Sequence, residues 1–178
     1  MSAKKLQTPS QTIGPYFAYG LTPGQYGYNF PGIVDGMMVD KNDEGNVVQI
    51  IGTVYDAEGK SVDDAMLELW QNDGERRLFG RYGTGTDEGN KFSFTTVKPK
   101  SVDGQAPFIN VIIFMRGQLL HSYTRIYFED EETLNATDET LNSIPEDRRK
   151  TIIAKKEDGR YVFDIYMQGN HETVFFQL

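Results

Sequence analysis

From Val47 onward the chain is a succession of short apolar and β-branched runs, each broken by a turn rich in polar residues and glycine, and this punctuation constrains the fold more than any other feature. The runs cover 47–55, 65–71, 91–97, 108–115, 119–128, 151–154, 161–167 and 173–176. Between them stand Asp56-Ala57-Glu58-Gly59, Asp87-Glu88-Gly89-Asn90, Arg116-Gly117 and Glu157-Asp158-Gly159, each placing a glycine where a tight reversal needs positive φ. Strands of this length at this spacing predict an all-β fold, an antiparallel β-sandwich. The aromatic content agrees: 10 Tyr and 11 Phe against a single Trp suit pleated sheets better than helix bundles.

Two stretches depart from the pattern. Residues 1–45 are dense in Gly, Pro, Tyr and Asn without useful periodicity, and read as an amino-terminal arm and loop ahead of a sandwich core at 46–178. The acidic segment from Glu129 to Arg149 has sparse apolar positions, Leu134, Leu141 and Ile144, and reads as a surface excursion with one short helix. At 178 residues, with no repeat, the whole chain is expected to form one domain.

Composition removes several function classes. No cysteine is present, which excludes thiolate nucleophiles, iron–sulfur clusters and a disulfide framework, and points to a reducing compartment. With 26 acids against 18 bases the net charge is −8, so the chain has no footing on phosphate backbones and nucleic acid is not an expected partner. No apolar run approaches the ~20 residues of a membrane span, and the first residues lack a signal-peptide apolar segment, so a soluble cytoplasmic protein without membrane contact is expected.

The inventory for catalysis is thin. His121 and His171 are far apart and neither belongs to a metal-binding spacing. The glycines of Gly80-Arg81-Tyr82-Gly83-Thr84-Gly85 follow no phosphate-binding pattern and read as a loop, and acidic pairs such as Asp63-Asp64 read as solvated surface. One strand is more informative. Along 121–128 the odd positions are His121, Tyr123, Arg125 and Tyr127, opposite Leu120, Ser122, Thr124, Ile126 and Phe128. The even face suits a core; the odd face frames an arginine with aromatic rings, chemistry that holds an aromatic carboxylate by charge and stacking. An edge salt bridge is the other reading of the same arginine.

Several stretches together resemble one family. Thr8-Pro9-Ser10-Gln11-Thr12-Ile13-Gly14-Pro15-Tyr16, Gly52-Thr53-Val54-Tyr55-Asp56, Glu68-Leu69-Trp70-Gln71, Val97-Lys98-Pro99, Thr124-Arg125-Ile126-Tyr127-Phe128 and the ending Gly169-Asn170-His171-Glu172-Thr173-Val174-Phe175-Phe176 are similar to the intradiol ring-cleaving dioxygenases, nearly end to end. Within the family the likeness is to the α chains of its two-chain members. The resemblance implies a role in opening a small catechol-acid, protocatechuate, between its hydroxyls to 3-carboxy-cis,cis-muconate.

That family uses Fe(III) held by two tyrosines and two histidines. The P-x-H-x-H segment of its catalytic chains is matched by Pro107-Phe108-Ile109-Asn110-Val111, with Ile109 and Val111 at the imidazole positions. Lys100-Ser101-Val102 and Gly74-Glu75-Arg76-Arg77 supply neither tyrosine. Ile and Val have no lone pair for a metal, so no catalytic or metal-binding residue is expected here. The resemblance places Fe(III) on a homologous catalytic β chain, in a higher hetero-oligomer of αβ units. It assigns this chain one wall of the substrate pocket, with Thr12, Gly14, Pro15 and Tyr16 from the arm and Arg125 from the strand. The competing expectation is a metal-free β-sandwich interaction or carbohydrate-binding module without enzymatic role; a self-sufficient enzyme with an unrecognised site is a third.

Overall fold

The computed structural model describes residues 12–40, 46–72 and 75–177. The Thr8-Pro9-Ser10-Gln11 part of the amino-terminal motif, the acidic pair Asp43-Glu44 and Gly74 lie outside them. Nine strands form the body: β1 (Val47–Tyr55), β2 (Met66–Asn72), β3 (Arg77–Gly83), β4 (Lys91–Val97), β5 (Phe108–Phe114), β6 (Ser122–Phe128), β7 (Ile153–Glu157), β8 (Arg160–Val162) and β9 (Ile165–Tyr166). They run in the order β3-β2-β5-β6-β7-β8-β1-β4, with β9 also on β1. The sheet folds on itself across one core. Ile50 and Val54 of β1 and Phe92 and Phe94 of β4 pack with Leu67 and Leu69 of β2, Ile109, Val111 and Ile113 of β5, and Ile126 and Phe128 of β6. Strand β7 passes between the halves, its first two residues pairing with β6 and its last three with β8.

The β-sandwich expected from the turn spacing is therefore present, but its sheet is mixed. The pairs β6·β7, β1·β8 and β1·β9 are parallel, and the rest antiparallel. The cause lies in the connections: β7 follows β6 only after the excursion 129–152, and a crossover of that length brings the chain back in the same direction. The turn glycines behave as expected, with Gly59, Gly89, Gly117 and Gly159 all at positive φ.

The excursion is not merely surface. It holds three single-turn helices, α2 (Glu132–Asn135), α3 (Glu139–Asn142) and α4 (Glu146–Arg149), after an earlier one in the arm, α1 (Phe17–Leu21). Leu141, Ile144 and Ile152 close over Tyr127 and Ala106 in a second core. Asp138 is fully buried there, capping α3 through Leu141 N–H at 2.7 Å while accepting from Ala106 N–H at 2.9 Å and the Tyr127 hydroxyl at 3.2 Å. Few apolar residues suffice because a satisfied carboxylate fills the remaining space.

Strand β3 replaces the loop expected around Gly80 and Gly83, and the arm explains its glycines. A Cβ at Gly80 would lie 2.5 Å from Met38 Cγ and 2.9 Å from Asp35 O, contacts that real Cβ atoms do not make. The arm is bonded across β3 and β4, the two ends of the strand order: Arg81 N–H donates to Asp35 O at 3.0 Å, Met38 N–H to Thr95 O at 2.9 Å, and Thr95 N–H to Gly36 O at 2.8 Å. Gln25 completes the seam, its amide donating to Gly83 O at 2.7 Å and accepting from Gly83 N–H at 2.9 Å.

Candidate functional site at the arm and the β5–β6 hairpin

The arm residues expected to line a pocket form one exposed surface. Thr12 reaches the hairpin joining β5 and β6, where its Oγ1 accepts from Gly117 N–H at 3.0 Å. Gly14, Pro15 and Tyr16 then lead into α1, closed by Phe17 N–H donating to Gly14 O at 3.1 Å. Nothing lies within 4 Å of where a Gly14 side chain would begin, and Gly14 is not among the glycines at positive φ. What it contributes is open space in front of the backbone and not an unusual dihedral. Tyr16 is 74% exposed, leaning edge-on against Tyr19 at 5.4 Å, while Phe17 packs on Phe114 at the end of β5 and fixes α1 to the sheet.

The hairpin supplies a cation beside this surface. The guanidinium of Arg116, one residue from the Thr12 contact, lies with Nε 2.7 Å from Asp64 Oδ2 and Nη2 3.7 Å from Asp63 Oδ1. The sequence reading of Asp63-Asp64 as a solvated pair holds for exposed Asp63 and fails for Asp64, whose side chain is 8% exposed. Burial, more than the repulsion of Asp63, raises the Asp64 carboxyl above its ordinary range, with Arg116 acting against the rise. Leu119 and Leu120 at the hairpin tip are both exposed beside the arm.

Arg125 sits elsewhere. Three residues inside β6 from Ser122, it is about 10 Å along the strand from the hairpin, and no contact joins it to Thr12, Gly14, Pro15 or Tyr16 among the described residues. Its guanidinium stacks over Phe108 at 4.0 Å and stands 5.8 Å from the Phe176 ring; Nη1 donates to the Tyr127 hydroxyl at 3.3 Å, and Nε is enclosed without a partner. Burial opposes its charge, yet hydrogen bonding to the Tyr123 and Tyr127 oxygens raises its pKa overall. No carboxylate pairs with it among the described residues. The aromatic frame read from the odd positions of the strand is thus real for Arg125, with one correction. Tyr127 is not on an open face but fully buried in the second core, because the excursion covers that end of β6.

Ile109 and Val111 are completely buried in the main core. On β5 the side chains that share a face with Arg125 are Phe108 and Asn110, since Asn110 pairs with Arg125 and Phe108 with Tyr127. A one-residue shift of the motif would exchange one pair for the other, and neither pair offers an imidazole. Lys100 pairs with Glu75, and the Ser101 hydroxyl donates to Gln105 O at 2.7 Å. Among the described residues no group of three His, Cys, Asp or Glu is arranged to hold a metal. This donor set does not fit a ferric ion. His121 and His171 are exposed and each leans on an aromatic ring, of Phe114 and Tyr166 respectively.

A wrapped β-sandwich with this strand content is the fold of the intradiol ring-cleavage dioxygenases. One solved member, the intradiol ring-cleavage dioxygenase of Tetranychus urticae, superposes with a TM-score of 0.61 over 93% of this chain and 99% of that one at 16% identity. Catechol 1,2-dioxygenase of Pseudomonas arvilla C-1 gives 0.53 over 75% of this chain and 56% of its own, at 18% identity. No family model matches the chain. Full-length relatives are decisive: it is 45% identical to the protocatechuate 3,4-dioxygenase alpha chain of Burkholderia cepacia, over 97% of this chain and 98% of that one, and 39% identical to that of Pseudomonas putida, over 96% of both. The chain belongs to the family of protocatechuate 3,4-dioxygenase alpha chains, and the binding-module alternative has no such support. The designation of those relatives as alpha chains implies a beta-chain partner and a hetero-oligomer. Among the described residues no helix is long and apolar enough to cross a membrane.

Proposed function

We propose that this chain is the iron-free α subunit of a cytoplasmic protocatechuate 3,4-dioxygenase, in which a homologous β chain carries Fe(III) and αβ units assemble into a larger hetero-oligomer. The enzyme adds both atoms of O2 to protocatechuate, opening the ring between its hydroxyls to give 3-carboxy-cis,cis-muconate. The whole chain, 1–178, acts as one unit with its first 45 residues as the wall-forming arm. The observation that carries this reading is the pairing of an exposed, polar–aromatic arm surface with a β5 strand whose inward positions are Ile109 and Val111.

Iron on the partner supplies activation of the catechol. The α chain's own residues do the positioning. Pro15 and Gly14 offer a rigid, side-chain-free surface to a flat ring, Tyr16 an edge or hydroxyl contact, and Thr12 a hydroxyl already anchored on the hairpin. The carboxylate of the substrate needs a cation. Arg125, stacked over Phe108 with no carboxylate against it among the described residues, is the residue we assign to it, while Arg116 beside Thr12 stays paired with Asp64. Association with the β chain covers Tyr16, Leu119 and Leu120 and removes water from the bound ring.

Expression with and without the partner tests the assignment. The lone chain is expected to carry no stoichiometric iron and consume no oxygen with protocatechuate, while the co-purified pair does both. About one ferric ion per lone chain, with visible tyrosinate charge-transfer absorption, would overturn it.

A further inference from the structure

We infer that Tyr123 and Tyr127 are positioning residues for substrate recognition: each gives its own proton to an acceptor behind it and turns its oxygen on the Arg125 guanidinium, holding that cation in one pose without neutralising it. The inference rests on the assignment of the substrate carboxylate to Arg125. On paired strands, side chains directly opposite one another and those one diagonal step away can touch. Asn110 of β5 stands opposite Arg125 of β6, with Tyr123 and Tyr127 on its two diagonals. The Tyr123 hydroxyl donates to Asn110 Oδ1 at 2.5 Å. On the other side the Tyr127 hydroxyl donates to Asp138 Oδ1 at 3.2 Å, and Asp138 is itself locked by the N–H groups of Leu141 and Ala106. A hydroxyl has one proton, and a guanidinium can only donate. With those protons committed to Asn110 and Asp138, each phenol offers Arg125 a lone pair. The Tyr127 oxygen accepts from Nη1 at 3.3 Å, and the Tyr123 oxygen hydrogen-bonds the same guanidinium.

Stacking over Phe108 at 4.0 Å fixes the plane of the guanidinium and leaves it free to slide and turn across the ring. The phenols remove that freedom, which would otherwise be lost when a ligand binds. A carboxylate in the place of either phenol would order the arginine equally well but cancel its charge, which is the situation of Arg116 between Asp63 and Asp64. Neutral acceptors leave the charge to the substrate. Tyr127 has no exposed surface, so its hydroxyl cannot touch a ligand and acts only through Arg125.

The test measures dissociation constants of protocatechuate and of unsubstituted catechol under anaerobic conditions in the assembled αβ enzyme, where no turnover occurs. The readout is the protocatechuate constant divided by the catechol constant, in which a general loosening of the fold cancels. Tyr127→Phe keeps the ring in the second core and is expected to raise this ratio about 3- to 10-fold, the range for one long side chain that must be ordered on binding. Should that variant fail to assemble, Tyr123→Phe repeats the measurement outside the second core. Asn142→Ala removes three hydrogen bonds within the excursion without touching either phenol, and should change the ratio less than 2-fold. Arg125→Ala should raise the ratio most, and Tyr127→Phe added to it should change nothing further. A large effect of Arg125→Ala with an unchanged ratio in the phenol variants, or an effect of Tyr127→Phe that persists without Arg125, would overturn the positioning role and leave the site reading standing. So would a rise in Asn142→Ala equal to that in Tyr127→Phe. An unchanged ratio in Arg125→Ala would remove the site reading, and this inference with it.

Discussion

Arg116 and Arg125 belong to one β-hairpin yet sit in opposite surroundings. At the turn, Arg116 is exposed, faces two carboxylates and stands beside the arm. Inside the strand, Arg125 is half-buried among Phe108, Phe176, Tyr123 and Tyr127, with no acid paired to it among the described residues. A cation in an aromatic frame looks like a ligand site from sequence, since stacking and charge together hold aromatic acids. The same frame also meets the carboxy-terminal segment at Phe176, whose N–H donates to Tyr123 O at 2.8 Å. What separates the two is the partner: Arg116 meets carboxylates at Nε and Nη2, whereas Arg125 gives Nη1 to the Tyr127 hydroxyl and has its charge balanced by no acid among the described residues.

The largest expected effect decides that comparison directly. In the assembled enzyme Arg125→Ala should shift the preference for protocatechuate over catechol, measured as the ratio of kcat/KM values, by about 10- to 100-fold, the worth of a charge-assisted hydrogen bond of ~1.5–3 kcal/mol. Arg125→Lys should recover only part, because the fork is lost while the charge remains. If Arg116→Ala produced that shift instead, the roles would be exchanged.

Next in size is the support beneath the arm. Gly80→Ala forces a methyl against Met38 and the Asp35 carbonyl, and overpacking of this kind costs ~1–3 kcal/mol. Thermal unfolding of the chain should show the loss. Because Asp35 precedes the Gly36–Met38 contacts with β4, the assembled variant should also bind protocatechuate more weakly.

Arg125→Ala should also lower stability by ~1 kcal/mol through lost stacking on Phe108 and Phe176, whereas Arg116→Ala should change substrate preference less than 2-fold, its exposed guanidinium already facing two carboxylates. Chemical denaturation of the lone chain checks the first part and steady-state kinetics the second.

A third cation sharpens the contrast with the smallest effect. Lys98 has both kinds of neighbour, Asp130 at 2.8 Å and Glu131 at 2.6 Å, and the rings of Phe128 and Tyr161 at 5.4 and 5.7 Å. Burial alone would raise the Asp130 carboxyl, but donors from Lys98, Tyr161 and Lys156 outweigh it and bring the pKa down to about 2. A carboxyl held lower in the folded chain than in the unfolded one stabilises above the unfolded value near 3.8, and that stability disappears as pH falls toward 2. Asp130→Asn should therefore cost somewhat under ~1 kcal/mol near neutral pH, with the gap to the parent chain closing between pH 4 and 2. Unfolding midpoints measured across that range would show whether the acid or the ring carries Lys98.

Much of this molecule could be read before its coordinates. Strands β1, β4 and β5 declare themselves through alternation, and the reversing turns through glycines that do sit at positive φ. Strand β3 was hidden because Gly80 and Gly83 serve a neighbour distant in sequence, and no local pattern records that the arm lies on them. The second core was hidden by Asp138, a polar residue occupying a core position. Thr12, Gly14, Pro15 and Tyr16 enter the proposed site only through the family likeness. Arg116 was read as half of a turn and Asp64 as half of a solvated pair, since period-two reasoning assigns faces to strand residues and is silent about a loop. The single available signal was the adjacency of Arg116 to Gly117, which marks a tip able to reach another segment.

The seam where the arm joins β3 to β4 has a consequence for how the molecule behaves in a crowd. Those strands terminate the sheet, and their outer backbone groups would otherwise be offered to any extended peptide that came by. Asp35, Gly36 and Met38 occupy several of them from within the same chain. A single protease cut in the arm would thus expose sticky strand margins as it releases the surface proposed to receive protocatechuate, so a damaged subunit should be drawn toward precipitation instead of lingering as an inactive competitor for the proposed β partner.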